Sequence, residues 1–522
     1  MGIYLNPNFE KFEKSLNSEI YVDKSNLIIQ TNALLDTEQR FICLSRPRRF
    51  GKTMAANMLA AYYGATECNL FESLSIAKHK GYEKHLNKHN VLMINVQVFL
   101  SKTNSMDEFL TDLQNSVLAE IFEEYPDITY RRKDDFVQVM NDVYQATKRS
   151  FVILLDEWDC LFREYKHDTE AQKNYLDFLR LWLKDQAYVG LAYMTGILPI
   201  KKYGSHSALN MFEEYSMTEP SQFINYFGFT TAETEALTQR YNVNFEELKK
   251  WYNGYFAELG TPIYSPKSVT SSLMRKRFSS YWNNTETYEA LKIYVEMDFD
   301  DLRTKFEQLI AGASIEIDVR SFTNDMTTFE SADDVLTLLV HLGYLTYNID
   351  NETVTIPNEE VKGEFITSMR TLKWANIIDS VKNSKKLLEA IWANDTEFVA
   401  AGVQKVHEQN TSIIEYNDEN SLSCIISLAL YTATEYYTTI RELPAGKGYA
   451  DIIYIPRKKH AGIPALVVEL KWDKSATSAI DQIKQKNYPA ALEEYAGNML
   501  LVGINYEKTE KTHECIIETW KK

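Results

Sequence analysis

Hydrophobic and polar positions along the first 205 residues predict strands and helices in turn. Short apolar runs bounded by polar residues indicate buried strands; they are 40–45 (RFICLS), 91–100 (VLMINVQVFL), 151–155 (FVILL) and 189–200 (VGLAYMTGILPI). The segment 53–64 (TMAANMLAAYYG) is rich in Ala, Met and Leu and ends on glycine, which is typical of a helix with a C-terminal stop. Strands that alternate with helices predict a doubly wound α/β sheet over about residues 15–205.

The remaining residues predict three further parts. Helical patterns dominate from 211 to 290, and we interpret this stretch as a helical lid region. Two helices, a turn at Gly343 and a hairpin follow, an order typical of a small winged-helix-like module. After that module the pattern returns to strands and helices. We therefore predict domains at 1–210, 211–290, 291–375 and 376–522.

Aromatic residues are dense in the predicted lid region. Trp251, Tyr252 and Tyr255 predict a packed helix end, and a base-stacking platform is the alternative. His341 lies on an apolar helix and is predicted to be a core residue. The hairpin sequence 349–353 (IDNET) is acidic, which favours a structural or lid role over DNA binding.

Composition narrows the class of protein. Of the 522 residues, 45% are hydrophobic and 25% charged, values ordinary for soluble globular proteins. The net charge of −17 argues against a chain coated with nucleic acid along its length, although a local basic cleft remains compatible. We find no apolar run of 18 residues, and the polar N-terminus is unlike a secretory signal. Five scattered cysteines without a C-x-x-C pair favour reduced thiols, so we expect a cytoplasmic protein.

The sequence predicts a phosphate-binding loop between the first predicted strand and helix, and a chance GKT in a structural loop is the alternative. The pattern G-x-x-x-x-G-K-[ST] ends here in Gly51, Lys52 and Thr53, while Arg46 replaces the first glycine. Strand, turn and helix place backbone N–H groups and the helix dipole beside the phosphates. We expect Lys52 to neutralise the β- and γ-phosphates and Thr53 to offer its hydroxyl to Mg²⁺.

The loop residues between these two ends are unusual. Pro47, Arg48, Arg49 and Phe50 fill the variable positions. Loss of the first glycine costs conformational freedom without removing the N–H groups, and Pro47 would stiffen the turn. Arg46, Arg48 or Arg49 would add charge around a triphosphate, or would simply be basic residues on a solvated loop.

Carboxylates follow the apolar run 151–155. Asp156 and Glu157 would emerge at the C-terminal end of a parallel strand, where open α/β sheets bind ligands. Asp156 fits Mg²⁺ coordination, and Glu157 fits the base that orients a hydrolytic water; a solvated acidic turn is the alternative. Thr195, at the end of another predicted strand, would sense the γ-phosphate or cap a turn.

An ordered set of motifs resembles a known family. In chain order the motifs are YVDKSNLI (21–28), SRPRRFGKT (45–53), LLDEWD (154–159), TGILPI (195–200), NYFGFT (225–230), WYNGY (251–255) and YSPKSV (264–269). Together they resemble the bacterial AAA-ATPase-like family with a C-terminal PD-(D/E)XK nuclease-like domain, whose loop usually lacks the first glycine. The resemblance implies a P-loop ATPase domain, ATP rather than GTP, and Tyr21, Asp23 and Lys24 near the nucleotide. It also suggests roles in mobile elements or defence.

Two predicted strands near the C-terminus carry a second set of charged residues. Asp451 begins the strand 446–456, while Glu469 and Lys471 lie on the strand 465–473. Residues two apart on a strand share a face. An Asp and a Glu could therefore hold Mg²⁺, and the lysine could stabilise water or developing charge, against a phosphodiester. The alternative is a solvated surface pair.

The surroundings of this set favour a nucleic-acid substrate. From Arg441 to Lys486 nine basic residues face five acidic ones, a local net charge of +4. In similar nuclease domains a helix glutamate joins the metal site, and Glu419 matches its place, although Leu422 and Ser423 depart from the aromatic and histidine that often follow. Gln482 and Tyr488 resemble the helix after the E-x-K strand, and Gln482 would touch the scissile phosphate or cap the site.

These observations predict an α/β protein with an AAA-like ATPase domain, a helical and winged-helix-like middle, and a C-terminal restriction-endonuclease-like domain. The predicted function is ATP binding and hydrolysis coupled to a Mg²⁺-dependent nuclease on DNA or RNA. The alternative is an ATP-dependent signalling or interaction switch that grips nucleic acid without cutting it. Membrane association is not expected. The oligomeric state is open, and a homo-oligomer is one alternative.

Overall fold

The computed structural model describes most of the 522 residues. The described ranges are 2–65, 69–200, 209–256, 262–282, 291, 293–294, 297, 302–323, 326, 329–371, 375–409, 419–430, 432–445, 448–457, 460, 462–486 and 498–520. The chain forms two compact units. One comprises 1–284 and 316–361, and the other comprises 285–315 and 362–522. Residues 291–375 are thus shared between the units, and the division into four domains stays a prediction.

A five-stranded parallel sheet forms the centre of the first unit. Its strands are β1 (Phe41–Ser45), β2 (Asn90–Asn95), β3 (Phe151–Asp156), β4 (Val189–Gly196) and β5 (Glu213–Tyr215), in the order β2-β3-β4-β1-β5. Residues of β1 alternate between two apolar clusters, with Phe41 in one and Ile42 in the other. Both faces of the sheet are therefore covered, which confirms the doubly wound fold.

Helices surround this sheet. Their bounds are Glu10–Leu16, Leu27–Leu34, Lys52–Tyr63, Tyr82–His85, Val96–Leu100, Met106–Glu124, Phe136–Thr147, Cys160–Glu164 and Thr169–Leu183, with short 3₁₀ helices at Ser75–Lys78 and Ser221–Tyr226. Several begin with a side-chain cap: Asp168, for example, accepts the N–H of Ala171. In the described part of the chain, no helix has the length and apolar character needed to cross a bilayer.

Two small sheets and more helices complete the first unit. The strands β6 (Phe229–Thr230), β7 (Tyr255–Phe256) and β8 (Pro262–Tyr264) form one antiparallel sheet, and β9 (Ile315–Glu316), β10 (Thr346–Asn348) and β11 (Thr353–Thr355) form another. The helices here are Thr231–Tyr241, Phe245–Tyr252, Pro266–Arg275 and Ala332–Leu342. Tyr252 and Tyr255 are buried, which confirms their predicted packing. His341 is buried against Phe322, as predicted.

The second unit is built on a mixed sheet. Its strands are β12 (Tyr437–Ala445), β13 (Gly448–Pro456), β14 (Ala465–Trp472), β15 (Met499–Glu507) and β16 (Thr512–Thr519), side by side in that order. Only β14 and β15 run parallel; the other neighbours are antiparallel. The helix Glu359–Thr371 has its first three residues in the first unit and the rest in the second. The other helices of the second unit are Leu302–Ala311, Ala375–Trp392, Thr396–Gln409, Glu419–Ala429, Ala433–Tyr436 and Ala476–Gln485. The last of these links the two parallel strands.

Candidate nucleotide and nuclease sites

The predicted phosphate loop joins β1 to the helix Lys52–Tyr63. Gly51 caps that helix with a φ of 94°, a left-handed conformation that favours glycine. A Cβ on Gly51 would meet no heavy atom within 4 Å. Gly51 is therefore required by its backbone conformation, and open space adjoins the helix N-terminus, where backbone N–H groups favour a phosphate.

Arg46, which replaces the first glycine of the motif, is a buried anchor. Its Nη1 donates to the carbonyl oxygens of Ser45 (2.8 Å), Tyr215 (2.8 Å) and Ser216 (3.0 Å), and its side chain lies over the ring of Phe227. Burial lowers the pKa of Arg46 to about 10. The Arg46 guanidinium thus holds the end of β5 and is not solvated, and its contact with a triphosphate stays a prediction.

Pro47 and Arg49 also contact residues that follow the parallel sheet in the chain. Gly343 approaches Pro47 so closely that a Cβ on Gly343 would lie 2.8 Å from the Pro47 Cβ. Arg49, itself at a positive φ of 69°, donates from Nη1 to the carbonyl oxygen of Tyr281 at 3.1 Å. These contacts give the loop a packed outer side.

Phe50 continues this packed side. Its ring is buried and meets the Tyr255 ring edge-on at 5.1 Å, and its carbonyl oxygen accepts the N–H of Gly228. Arg48 is half-buried. The arginine-rich sequence thus supplies packing as well as charge, and any contact of Arg48, Arg49 or Phe50 with a nucleotide stays a prediction.

Lys52 is buried at the start of the helix. Its Nζ donates to the carbonyl oxygens of Arg46 (3.0 Å) and Pro47 (3.1 Å) within the loop. Burial lowers the pKa of Lys52, while the nearby carboxylates of Glu157 and Asp159 act in the opposite direction. The ammonium group is thus held at the loop, where phosphate oxygens would compete with these carbonyls.

Asp156 collects polar groups from three other elements. Its Oδ2 accepts the Thr53 hydroxyl (2.7 Å) and the Asn95 amide (3.3 Å), and its Oδ1 accepts the Thr195 hydroxyl (2.7 Å). Asn95, Asp156 and Thr195 lie opposite one another at the ends of β2, β3 and β4. Hydroxyl and carboxylate oxygens suit Mg²⁺, so Thr53 and Asp156 together fit the predicted ion.

Glu157 follows Asp156 and is held by an arginine. Its backbone has a positive φ of 54°, and its Oε2 lies 2.5 Å from Nη2 of Arg163. Burial raises the pKa of Glu157, while Lys52 and Arg163 oppose the rise. The residue is thus a largely buried carboxylate beside the phosphate loop, which is compatible with its predicted role as a base.

Tyr21 and Asp23 belong to the N-terminal signature. The Tyr21 ring meets the Phe12 ring edge-on at 6.4 Å. Asp23 accepts the backbone N–H groups of Ser25 (2.8 Å) and Ser75 (2.7 Å). These contacts fix two loops to each other, and a role at the nucleotide stays a prediction.

Lys24 links the same signature to the segment after the sheet. Its Nζ donates to the Asn225 carbonyl oxygen (2.7 Å) and forms an ion pair with Glu233 (2.6 Å). Glu233 completes a capping box with Thr230 at the start of the helix Thr231–Tyr241. Lys24 therefore holds this helix start in the structure.

Glu469 and Lys471 meet on one face of the C-terminal sheet, and Gln482 reaches the same carboxylate from the helix Ala476–Gln485. Lys471 Nζ lies 2.8 Å from Glu469 Oε1, and the Gln482 side chain donates to the same oxygen. Asp451 Oδ2 accepts the N–H of Leu470 at 2.7 Å. The pairing of β13 with β14 places Asp451 opposite Glu469 when it is continued by one residue, and directly opposed residues share a face. The carboxylates of Asp451 and Glu469 are hard oxygen donors that suit Mg²⁺.

The helix Ala476–Gln485 covers this face. A Cβ on Gly503 of β15 would lie 2.6 Å from the Ala476 carbonyl oxygen, so glycine permits the helix to approach the sheet. Glu469 lies beside Gly503 in the parallel pair and is fully buried. Glu419 begins the helix Glu419–Ala429, but its side chain and the whole of Tyr488 lie outside the described residues.

Sequence reasoning missed three residues of the candidate nucleotide site. Asn95 ends an apolar strand, a position that resembles those of Asp156 and Thr195 and could have been recognised. Asp159 directly precedes the short helix Cys160–Glu164, which carries Arg163, and the two side chains lie within 3.4 Å of each other. Their spacing was the available signal, because side chains at i and i+4 meet on one helical face.

Comparisons with known proteins agree with this architecture. Residues 6–205 match the model of the predicted AAA-ATPase family, and residues 417–516 match that of the PD-(D/E)XK nuclease superfamily. An uncharacterized protein in the vnfD 5′ region of Azotobacter chroococcum mcd 1 is 23% identical over 525 residues, covering 94% of each chain.

Two solved structures also match part of the chain. They are Cdc6p from Pyrobaculum aerophilum (10% identity, TM-score 0.25) and the ORC2 protein from Aeropyrum pernix (13% identity, TM-score 0.29). Each alignment covers 69% of this chain and 98% of the other.

The two family matches fall on the two sheets described above. The first contains the phosphate loop and the acidic end of β3, and the second contains β13, β14 and their charged residues. Residues 6–205 therefore form an AAA-ATPase-like domain, and residues 417–516 form a domain of the PD-(D/E)XK nuclease superfamily.

Proposed function

We propose that this protein binds and hydrolyses ATP and that its C-terminal domain is a Mg²⁺-dependent nuclease for DNA or RNA. The observation that carries the ATPase part is the 2.7 Å contact between the Thr53 hydroxyl and Asp156. It joins the phosphate loop to the acidic end of β3, beside Lys52 and Glu157. Such a set supplies phosphate charge neutralisation, oxygen ligands and a base.

Each residue of the nucleotide site has a proposed role. Lys52 would exchange its bonds to loop carbonyls for bonds to phosphate oxygens. Thr53 and Asp156 would hold Mg²⁺, which supplies charge neutralisation at the phosphates when it is bound. Glu157 would accept a proton from the attacking water. Thr195 bonds Asp156 and would lie near the γ-phosphate.

The nuclease part rests on the charged set of the second sheet. Asp451 and Glu469 would hold Mg²⁺, which favours attack of water on a phosphodiester when it is bound. Lys471 would stabilise the charge that develops on the phosphate. Gln482 donates to Glu469 and so holds that carboxylate in place, and Glu419 is a further proposed ligand.

The family resemblance supports the choice of nucleotide and the biological role, and the scattered single cysteines support the location. We propose ATP over GTP as the nucleotide and a cytoplasmic location. We also propose a role in mobile-element or defence biology. A homo-oligomer remains an alternative to a monomer.

A cleavage assay with and without ATP tests the proposal. We expect wild-type protein to cut DNA or RNA with Mg²⁺, Asp451→Ala to cut none, and Lys52→Ala to bind ATP at least about tenfold more weakly, a change of about 1.4 kcal/mol. Unchanged ATP affinity in Lys52→Ala would refute the nucleotide site. ATP binding without any cleavage would instead favour the non-cutting interaction switch.

A further inference from the structure

Arg163 holds Glu157 from a short helix that follows β3. The helix spans Cys160–Glu164, and the Arg163 side chain is only 10% exposed. Its Nη2 lies 2.5 Å from Glu157 Oε2, and its Nε lies 3.4 Å from Asp159 Oδ2. Because a guanidinium group is planar, contacts in two directions fix its orientation.

Asp159, the second partner, is itself firmly held. It is 1% exposed, and its Oδ2 accepts the N–H groups of Ile197 (3.0 Å) and Leu198 (2.9 Å). These residues follow Thr195 at the end of β4. A Cβ on Gly196 would lie 2.5 Å from Asp159 Oδ1, so the turn packs tightly on this carboxylate. Arg163 is thus held by a carboxylate that the backbone after β4 fixes in place.

The orientation of the Glu157 carboxylate depends on the contact with Arg163. Its positive φ of 54° is a sparsely populated conformation for a residue with a side chain. Lys52, Asp156 and Asp159 are other charged groups around it, and Arg163 supplies its close directional contact. A carboxylate between several charges acts as a base only when one of its oxygens faces the water.

We propose that Arg163 is a positioning residue for ATP hydrolysis, which holds Glu157 with its carboxylate turned toward the attacking water. This inference rests on the proposed ATPase function. In the step concerned, the water oxygen bonds to the γ-phosphorus and the bond to the β–γ bridging oxygen breaks. ADP and phosphate result, and the proton of water passes to Glu157.

Arginine variants test this role through kcat. Arg163→Ala should lower kcat about 100-fold, the usual effect of misplacing a catalytic group by about 1 Å, with KM for ATP within about threefold of wild type. Arg163→Lys should be intermediate, because an ammonium group cannot make both contacts. Added guanidinium ion should restore part of the Arg163→Ala rate. Arg131→Ala is the matched control, since Arg131 pairs with the buried Asp142 elsewhere and is 72% exposed.

A double-variant cycle separates positioning from a general structural effect. Glu157→Gln combined with Arg163→Ala should be no slower than Glu157→Gln alone, because Arg163 acts through Glu157. Additive losses, or wild-type kcat in Arg163→Ala, would overturn the proposal. If Arg163→Ala does not fold by circular dichroism, Arg163→Gln and Arg163→Lys carry the same cycle.

ATP hydrolysis by the wild-type protein distinguishes a failed ATPase function from a failed role of Arg163. If wild-type protein hydrolyses no more ATP than Lys52→Ala, the proposed ATPase function fails, and the positioning role with it. If wild type hydrolyses ATP but the kinetic cycle is additive, only the role of Arg163 fails.

Discussion

The Thr53 hydroxyl donates a hydrogen bond of 2.7 Å to the Asp156 carboxylate, although the two residues are 103 positions apart in the chain. Thr53 is the second residue of the helix after the phosphate loop, and Asp156 ends β3. Asn95 and Thr195 bond the same carboxylate. The parallel sheet therefore assembles an oxygen-rich group at one edge from four separate segments.

Removing the Thr53 hydroxyl should weaken ATP binding only when Mg²⁺ is present. Thr53→Val preserves the shape of the side chain and deletes the oxygen. We expect calorimetry to show that ATP affinity in the presence of Mg²⁺ falls about tenfold, or about 1.4 kcal/mol. When a chelator removes the Mg²⁺, the ATP affinity of the variant should equal that of the wild type. Met54→Ala, at an exposed neighbouring position, is the control. An equal loss in chelator would show that the hydroxyl serves the loop and not the ion.

Replacing the proposed base should separate ATP binding from hydrolysis. Glu157→Gln retains the size of the side chain and leaves Asp156 in place, but its amide cannot accept the proton of water. Steady-state hydrolysis should fall about 100-fold or more, while calorimetry should show ATP affinity close to wild type. Unaffected hydrolysis would return Glu157 to a structural turn residue.

Restoring the standard glycine of the loop should harm the protein. Arg46→Gly removes the donor to the carbonyl oxygens of Tyr215 and Ser216, and a buried acceptor left without a partner costs about 1–3 kcal/mol. We expect a lower urea midpoint. Arg132→Gly, at an exposed arginine, should change the free energy of unfolding by about 0.5 kcal/mol or less. A more stable Arg46→Gly protein would contradict the anchoring role.

Local pattern was sufficient for much of the fold. The apolar runs predicted β1, β3 and β4, because a strand buried on both faces must be apolar at consecutive positions. The run 91–100 was only half right, since β2 ends at Asn95 and Val96–Leu100 is a helix. The order of the strands could not be predicted in this way, since β4 lies between β1 and β3 and brings Thr195 to Asp156 through pairing of distant segments. Strand alternation did predict that Glu469 and Lys471 share a face.

The role of Arg46 shows where local reasoning stops. The motif gave its position, but its carbonyl partners lie 169 and 170 residues away and carry no side-chain signal. Arg46 also has no positive φ, so its place in the loop does not need the glycine of the standard motif. Contacts to backbone oxygens depend on the tertiary fold and leave no mark on the sequence that supplies them.

A histidine pair should make the C-terminal unit sensitive to acid. His407 Nδ1 and His513 Nε2 lie 3.0 Å apart, and burial lowers the pKa of His407 to about 4 and that of His513 to about 3. The unfolded chain, with histidine pKa values near about 6.5, binds more protons below that pH. Stability should therefore fall as pH drops from about 6.5 toward 4.

Urea titrations at pH 7.5 and 5.0 check this prediction. Hydrogen exchange in peptides of β16 reports the unfolding of this unit. The urea concentration at which half of their protection is lost should be lower at pH 5.0. His513→Gln should reduce the difference between the two pH values, whereas His79→Gln, at an exposed histidine, should preserve it. An equal pH dependence in His513→Gln would exclude the pair as its source.

The charged set on β13 and β14 should carry nucleic-acid cleavage. Asp451→Ala or Glu469→Ala removes a proposed metal ligand, so Mg²⁺-dependent cleavage should be lost while ATP binding persists, because the phosphate loop belongs to the other unit. Lys471→Ala should retain the metal and slow cleavage about 100-fold, since the lysine contributes charge to the transition state. Glu518→Gln, at a half-exposed carboxylate on the same sheet, is the matched control.

Cleavage of labelled DNA and RNA, metal titration by calorimetry and a salt series distinguish these effects. Substrate affinity should fall steeply with salt, because the net charge of −17 leaves the local +4 segment to attract phosphates. Metal binding of wild-type affinity in Asp451→Ala and Glu469→Ala would show that neither carboxylate is a metal ligand. The opposing outcome is a wild-type protein that binds nucleic acid with the same salt dependence but cuts none with Mg²⁺ or Mn²⁺ and ATP. That result would identify a domain that binds nucleic acid without cleaving it, since the positive charge would then act without the metal chemistry.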